Sequence, residues 1–180
     1  MIKMSFSFVD NENQIRQFWR KQDIFQKSLA QTKDAPPYIS YDGPPFATGK
    51  PHHGHLLAST IKDVVHRYFT QQGYYVERRF GWDCHGIPIE HEINKSLGLQ
   101  PHEAVAKLGV AGYNQACRDI VMRYREQWQE TIERLGRWVE FDNDYKTMDP
   151  DFMESVWWVF GELWKKDMVY EGIKVVPFST

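Results

Sequence analysis

Cysteine is nearly absent: Cys84 and Cys117 are the two in 180 residues. Two distant thiols cannot form a disulfide framework, so a reducing compartment, the cytoplasm, is the expectation. Charge of one sign is equally scarce. Twenty-two Lys and Arg stand against 24 Asp and Glu, a net of −2, which gives no bulk attraction to nucleic acid or to an anionic membrane. Long apolar runs are missing as well. Nothing approaches the roughly 18 residues of a membrane span, and residues 1–10 do not read as a signal peptide. What the chain has in surplus is aromatic: 15% of residues, with seven Trp. At 42% apolar and 26% charged, it reads as one soluble globular domain with a real core. The surplus tryptophan predicts either a Trp-rich core or a surface that expects a partner domain.

Periodicity predicts a first helix over residues 12–31, capped by Asp10 or Asn11, on the spacing of Ile15, Phe18, Trp19, Phe25 and Leu29. Pro36 and Pro37 end it. Residues 38–41 are a short β-prone run feeding the Asp42-Gly43-Pro44-Pro45 loop. Residues 54–72 turn helical, with Leu57, Ile61, Val64, Val65 and Tyr68 on one side and Gly73 just past the end. Residues 74–80 read as a second strand, broken by Gly81. Strand, loop, helix and strand make a βαβ unit, hence a parallel sheet in an α/β fold. A long amphipathic helix is expected over residues 111–135. Another runs from Pro150 to about Met168, with Asp149 as its cap. A third strand is expected over residues 174–178.

The stretch G-P-P-F-A-T-G-K-P-H-H-G-H-L, residues 43–56, carries the chemistry. As a phosphate-wrapping P-loop it fails, because Pro44 sits where the first glycine should be and Pro51 replaces the Ser/Thr that would hold magnesium. As zinc sites, His52, His53 and His55, or Cys84, His85 and His91, lack the usual ligand spacings. The remaining reading puts His52-His53-Gly54-His55 between a strand's carboxyl end and the first turn of a helix. Unpaired N–H groups and the helix dipole favour an anion there. His52 and His55, three apart, share one face. Gly54 admits close approach of a ligand, and His53 is a spacer. Two imidazoles so placed suit phosphoryl or nucleotidyl transfer. The competing reading is a helix N-terminus with incidental surface histidines.

Residues 45–55, P-F-A-T-G-K-P-H-H-G-H, resemble the H-x-G-H region of the class I aminoacyl-tRNA synthetases, with His53 where an aliphatic residue is usual. Within that family the segment G-W-D-C-H-G-I-P-I-E, residues 81–90, resembles the isoleucyl branch of eukaryotic-like type. So do F-D-N-D-Y-K, residues 141–146, and W-W-V-F, residues 157–160. The resemblance covers residues 6–180. It implies the N-terminal half of a Rossmann-like parallel-sheet catalytic domain, residues 36–180, preceded by a helical extension, residues 1–35.

The same resemblance implies that His52 and His55 are catalytic. They would bind ATP together with Thr48 and Gly54, while Gly43, Pro44 and Asp83 bind isoleucine. Asp83 would take the ammonium group, and Gly43 with Pro44 would form one wall and lend a backbone carbonyl. ATP with magnesium is the implied cofactor set, with no metal held by this chain's own residues. tRNA is an implied partner of the whole enzyme, and a membrane is not. Trp82, Cys84 and His85 are read as structural, Arg78 and Arg79 as a solvated strand end. Trp157, Trp158 and Trp164 are read as core or domain-interface residues.

No K-M-S-K-S-like lysine loop occurs in the sequence. The implied editing domain and anticodon-binding helices are absent too. Editing exists because one methylene separates isoleucine from valine by only about 1–3 kcal/mol. The expectation is therefore a chain that carries the first part of a longer enzyme's split site, truncated before the editing insertion. Two other classes stay open: a different H-x-G-H nucleotidyl transferase, and a non-catalytic interaction module with a synthetase-like fold.

Overall fold

The computed structural model describes residues 6–46, 48–121 and 123–177. Two helices open it, α1 (Phe8–Lys21) and α2 (Ile24–Thr32), where the sequence predicted one. The break is Asp23, whose φ of 51° is left-handed, a conformation that no helix interior accepts. The cap of α1 is Ser7, whose hydroxyl accepts from Asp10 N at 3.3 Å, rather than Asp10 or Asn11. Helix α3 (His53–Gln71) follows the loop and matches the predicted helix to within a residue.

The segment after α3 is the spine of the sheet. Tyr75 N and O bond Pro36 O and Tyr38 N, and Asp83 N bonds Pro45 O at 2.9 Å. Arg78 O and Trp82 O accept from Glu140 N and Thr147 N. Odd and even residues thus face different neighbours, as a strand's alternation requires. Its regular part is β1 (Arg79–Trp82), paired in parallel with β2 (Glu140–Lys146). The predicted strand at residues 38–41 is instead an irregular ribbon joined to the spine through the parallel bridges Pro37↔Tyr75 and Phe46↔Asp83.

Gly81 does not break β1; it belongs to it. A Cβ there would collide with the Tyr145 ring of β2, so only glycine lets the two strands close. Residues 174–177 carry no strand, which corrects the third-strand expectation. Phe178 lies outside the described residues.

Three helices cross from β1 to β2: α4 (Ile87–Leu97), α5 (Pro101–Val121) and α6 (Arg125–Leu135). The single helix predicted over 111–135 is thus the end of α5 and the whole of α6, and α5 itself kinks at Gly109. Gly136, at φ 86°, ends α6. The core lies between these helices and the sheet. Trp82, Ile89, Trp128 and Ile132 are fully buried, Phe80 stacks on Phe141 with centroids 4.5 Å apart, and Trp82 meets Trp128 edge-on. Burial of each such side chain contributes about 1.5–3 kcal/mol.

Helix α3 departs from the usual orientation. Its apolar row of Leu57, Ile61, Val64 and Tyr68 is exposed, Leu57 by 64%. Its polar side is buried against the body instead: Ser59, and His66 at 6% exposure. Arg78 is buried as well, its guanidinium bonded to His66 O and Thr70 Oγ1. This corrects its reading as solvated, while Arg79 is exposed and caps Asn143 O at 2.8 Å. The last helix, α7 (Pro150–Lys165), presents its aromatics outward. Trp157 is 70% exposed, with Trp158 and Trp164 also exposed. These three are not core residues.

The opening helices dock on this body through aromatic contacts. Trp19 meets Trp138 edge-on at 5.3 Å, and the Arg67 guanidinium lies 3.8 Å over the Trp138 ring. Cation–π contacts of this kind contribute about 0.5–2 kcal/mol.

Candidate active site

The two histidines form a reciprocal cap at the start of α3. His52 is the N-cap, and its Nδ1 accepts from Gly54 N at 3.1 Å and His55 N at 3.4 Å. His55 Nδ1 accepts in return from His52 N at 3.2 Å. This is a capping box built from imidazoles instead of Ser and Glu. Because both Nδ1 atoms accept, the neutral rings carry their protons on Nε2. The rings stack with centroids 3.6 Å apart.

This geometry corrects one expectation. The Gly54 and His55 amides are satisfied by His52 and are not open to an anion. The donors left for a ligand are the imidazole Nε2–H groups, supported by the helix dipole. Partial burial, then the neighbouring His52 and Lys62, push the His55 imidazole below its ordinary pKa, which keeps it in the neutral form that the cap requires. His53 is exposed, as a spacer would be.

Trp128 on α6 backs the pair. Its ring lies 4.7 Å from that of His55, and its Nε1 donates to Gly49 O at 2.7 Å. That bond anchors the loop in which Thr48 sits half-buried. The sequence placed Trp128 on an apolar helix face but gave no sign of this contact, because loop and helix meet only in the fold.

At the other end of the loop, residues 43–46 run beside the carboxyl end of β1. The Phe46↔Asp83 bridge places Asp83 next to Pro45, and its carboxylate accepts weakly from Thr147 Oγ1 at 3.4 Å. Asp83 is half-buried and meets no cation within salt-bridge distance among the described residues. It therefore has acceptor capacity to spare. Gly43 and Pro45 line, with His55, Lys62 and Trp128, a small cavity of about 50 Å³. The structure thus places Gly43, Pro44 and Thr48 on one loop, His52, Gly54 and His55 at the helix start to which it leads, and Asp83 at the strand end beside which it runs.

Trp82 and Cys84 are buried, as expected of structural residues, but His85 is exposed. Burial pushes the Cys84 thiol pKa up, which suits an inert packing role. Among the described residues no three His, Cys, Asp or Glu side chains converge as metal ligands. Magnesium takes hard oxygen ligands, and the imidazole pair is not such a set.

Comparison with known proteins agrees with this architecture. The family model described as tRNA synthetases class I (I, L, M and V) matches residues 14–180. The chain is 59% identical over 176 residues to the cytoplasmic isoleucine–tRNA ligase of Mus musculus, covering 98% of this chain and 14% of that one. It is 58% identical over 174 residues to the isoleucine–tRNA ligase of Chlamydia muridarum, covering 97% of this chain and 17% of that one. The chain therefore spans only about a seventh to a sixth of the length of these curated relatives. Among solved structures, the LeuRS of Agrobacterium radiobacter K84 (agnB2), crystallised as a ternary complex with tRNA and LeuAMS, shares the fold. Its TM-score is 0.58 at 19% identity, covering 92% of this chain and 19% of that one. From the paired imidazoles at a βα turn to the family match over nearly the whole sequence, the observations agree: this chain belongs to the class I tRNA synthetases of the I, L, M and V group.

Proposed function

We propose that this chain supplies the first half of an isoleucine-activating site, and that the whole protein joins isoleucine to its tRNA at the expense of ATP. One observation carries the reading: a single loop links two half-sites. Its residues 43–46 lie along the strand end that bears Asp83, and its far end delivers the stacked His52 and His55 to the start of α3. Open parallel sheets place their ligands in such a crevice. The names of the relatives, isoleucine–tRNA ligases at 55–59% identity, support isoleucine as the substrate.

In activation, a carboxylate oxygen of isoleucine attacks the α-phosphorus of ATP. The bond from that phosphorus to the bridging oxygen breaks, and pyrophosphate leaves with the electron pair. Negative charge builds on the α-phosphoryl oxygens, where two preorganised Nε2–H donors are worth most. His52 and His55 take that role, with Thr48 and Gly54 beside the nucleotide. Asp83 takes the ammonium group, and Gly43 and Pro44 wall the amino acid. The Gly43 carbonyl already accepts from Lys62, and the Pro45 carbonyl from Asp83 N. This favours the Pro44 carbonyl as the backbone acceptor for the ammonium. Magnesium, which shields the phosphates in such reactions, would arrive with ATP.

For the whole protein we propose, beyond this chain, a second half of the catalytic domain that clamps the phosphates, and tRNA as partner. The helical extension is proposed to be residues 1–35 and the catalytic part residues 36–180, with the cytoplasm as location. Pyrophosphate exchange by the natural full-length protein, run with each of the twenty amino acids, tests the reading. Isoleucine should support the fastest exchange, and His52→Ala with His55→Ala should abolish it. Exchange with another amino acid in preference, or with none, overturns it.

A further inference from the structure

Asp42 stands directly before the Gly43-Pro44 wall, and its carboxylate is buried, 5% exposed. Its two oxygens serve cations from different parts of the fold. Oδ1 holds Lys62, about two turns along α3 from His55. Oδ2 holds Arg137 Nη2 at 3.0 Å. Arg137 is itself 2% exposed, lies over the Phe80 ring, and places Nη1 3.3 Å from Ser59 Oγ. The backbone is fixed as well: Tyr145 Oη donates to Asp42 O at 3.0 Å, and the same Lys62 Nζ reaches Gly43 O at 3.3 Å. Helix α3, the wall, the turn after α6 and β2 all meet on this one residue.

A buried carboxylate held by one buried and one partly exposed cation is a poor source of stability, because desolvation takes back much of the Coulomb attraction. What such a cluster supplies is direction, since each charge-assisted hydrogen bond admits a narrow range of geometries. Here the directions tie the amino-acid wall to the helix that carries the histidines. We propose that Asp42, clasped by Lys62 and Arg137, is a positioning residue for adenylate formation: it sets the distance between the Gly43-Pro44 wall and the His52–His55 pair, and so aligns the amino-acid carboxylate with the α-phosphate. The proposal rests on the isoleucine-activating reading above. It predicts a particular defect. Each substrate binds its own half-site, so removing the clasp leaves separate binding of isoleucine and of ATP nearly intact while the reaction slows. Misalignment by about 1 Å costs on the order of 100-fold in rate.

The test compares the natural full-length protein with its Asp42→Asn, Lys62→Met and Lys62→Arg variants. Equilibrium binding of isoleucine and of ATP gives affinity and the folded, binding-competent fraction; pyrophosphate exchange gives kcat per competent site. Asp42→Asn and Lys62→Met should lower that kcat by about 30- to 100-fold with each dissociation constant changed less than about threefold. Lys62→Arg, which keeps the charge and reach, should recover most of the rate. A merely structural role would instead reduce the competent fraction and leave kcat per site unchanged, and that result overturns the proposal. If Asp42→Asn does not fold, Lys62→Met decides, because Lys62 is partly exposed and its loss leaves the Asp42–Arg137 pair in place. Exchange by Lys62→Met within about threefold of the parent also overturns the proposal. A parent that shows no exchange with isoleucine removes the activating reading, and this one with it.

Discussion

Trp128 holds Gly49 by a 2.7 Å hydrogen bond from its indole to the glycine carbonyl, while the same ring backs His55 at 4.7 Å. One buried side chain thus both anchors the loop and supports the histidine pair. Trp128→Phe keeps an aromatic ring in the core but deletes the bond, whose loss alone costs about 1 kcal/mol. Transmitted to the proposed nucleotide site, that is roughly fivefold in ATP affinity. Calorimetry of ATP binding to the natural full-length protein reads it directly. An unchanged affinity would show that the Gly49 anchor does not bear on the nucleotide.

Asp83 offers a different prediction, because the ammonium group is common to all amino acids. Removing one partner of a desolvated charge pair costs about 2–5 kcal/mol, so Asp83→Ala should weaken isoleucine and valine alike by roughly thirty- to several-thousand-fold. Their ratio should hold, since apolar walls choose the side chain. Pyrophosphate exchange with both amino acids measures it. Divergence beyond tenfold, or weakening of neither, would remove Asp83 from the ammonium site.

Gly81 and Tyr145 should behave as a coupled pair. Gly81→Ala drives a methyl into the Tyr145 ring, and overpacking of this kind costs about 1–3 kcal/mol. Tyr145→Ala opens the space, so the double variant should recover at least about 0.5 kcal/mol relative to the sum of the singles. Urea unfolding followed by tryptophan fluorescence supplies the cycle. Strict additivity would mean that the strands do not meet there.

His66 gives the fold a dependence on pH. Burial, then Arg137 and Arg78, lower its pKa from 6.5 to about 4, against smaller raising effects of Asp42 and Asp63. Its Nε2 meets Ser40 Oγ at 2.9 Å. A base with a depressed folded pKa is protonated first in the unfolded chain. Its contribution is therefore complete above 6.5 and is lost as pH falls toward about 4, at no more than about 1.4 kcal/mol per pH unit. Hydrogen exchange over residues 62–70, corrected for intrinsic rate, should show protection declining across that window and a flatter profile in His66→Gln. Parallel profiles would assign the dependence to another group.

The parts legible in the sequence were those that local chemistry decides. The start of α3 was readable because Gly54 and two histidines three apart can serve only one helix end, and Asp83 because a strand closes just before it. Motif resemblance then named the family. The unread parts were set by distant contacts. Strand β2 reads E-F-D-N-D-Y-K, too polar to announce itself, and forms because Trp82 Nε1 binds Asp144 Oδ2 at 2.8 Å and Arg125 Nη2 binds Phe141 O at 2.5 Å. The apolar row of α3 pointed to the wrong face because Asp42, Arg78 and Arg137 make charge, not oil, the inner surface of that helix. The break at Asp23 has no signal beyond the tolerance of Asp for left-handed backbone.

The pairing of β1 with β2 across three helices also has a consequence in time. A ribosome adding about 5–20 residues per second needs roughly 3–12 s to synthesise the sixty or so residues between the two strands. For that interval Trp82 and Phe80 have no Phe141 to cover them, and the even-numbered edge of β1 is open. Helices α4 to α6 emerge first and can shield the tryptophan, but only β2 closes the ladder. Slow codons between residues 83 and 140 should lengthen this exposure, whereas pauses after residue 146 should not. Nascent chains stalled at these two points should accordingly differ in chaperone capture.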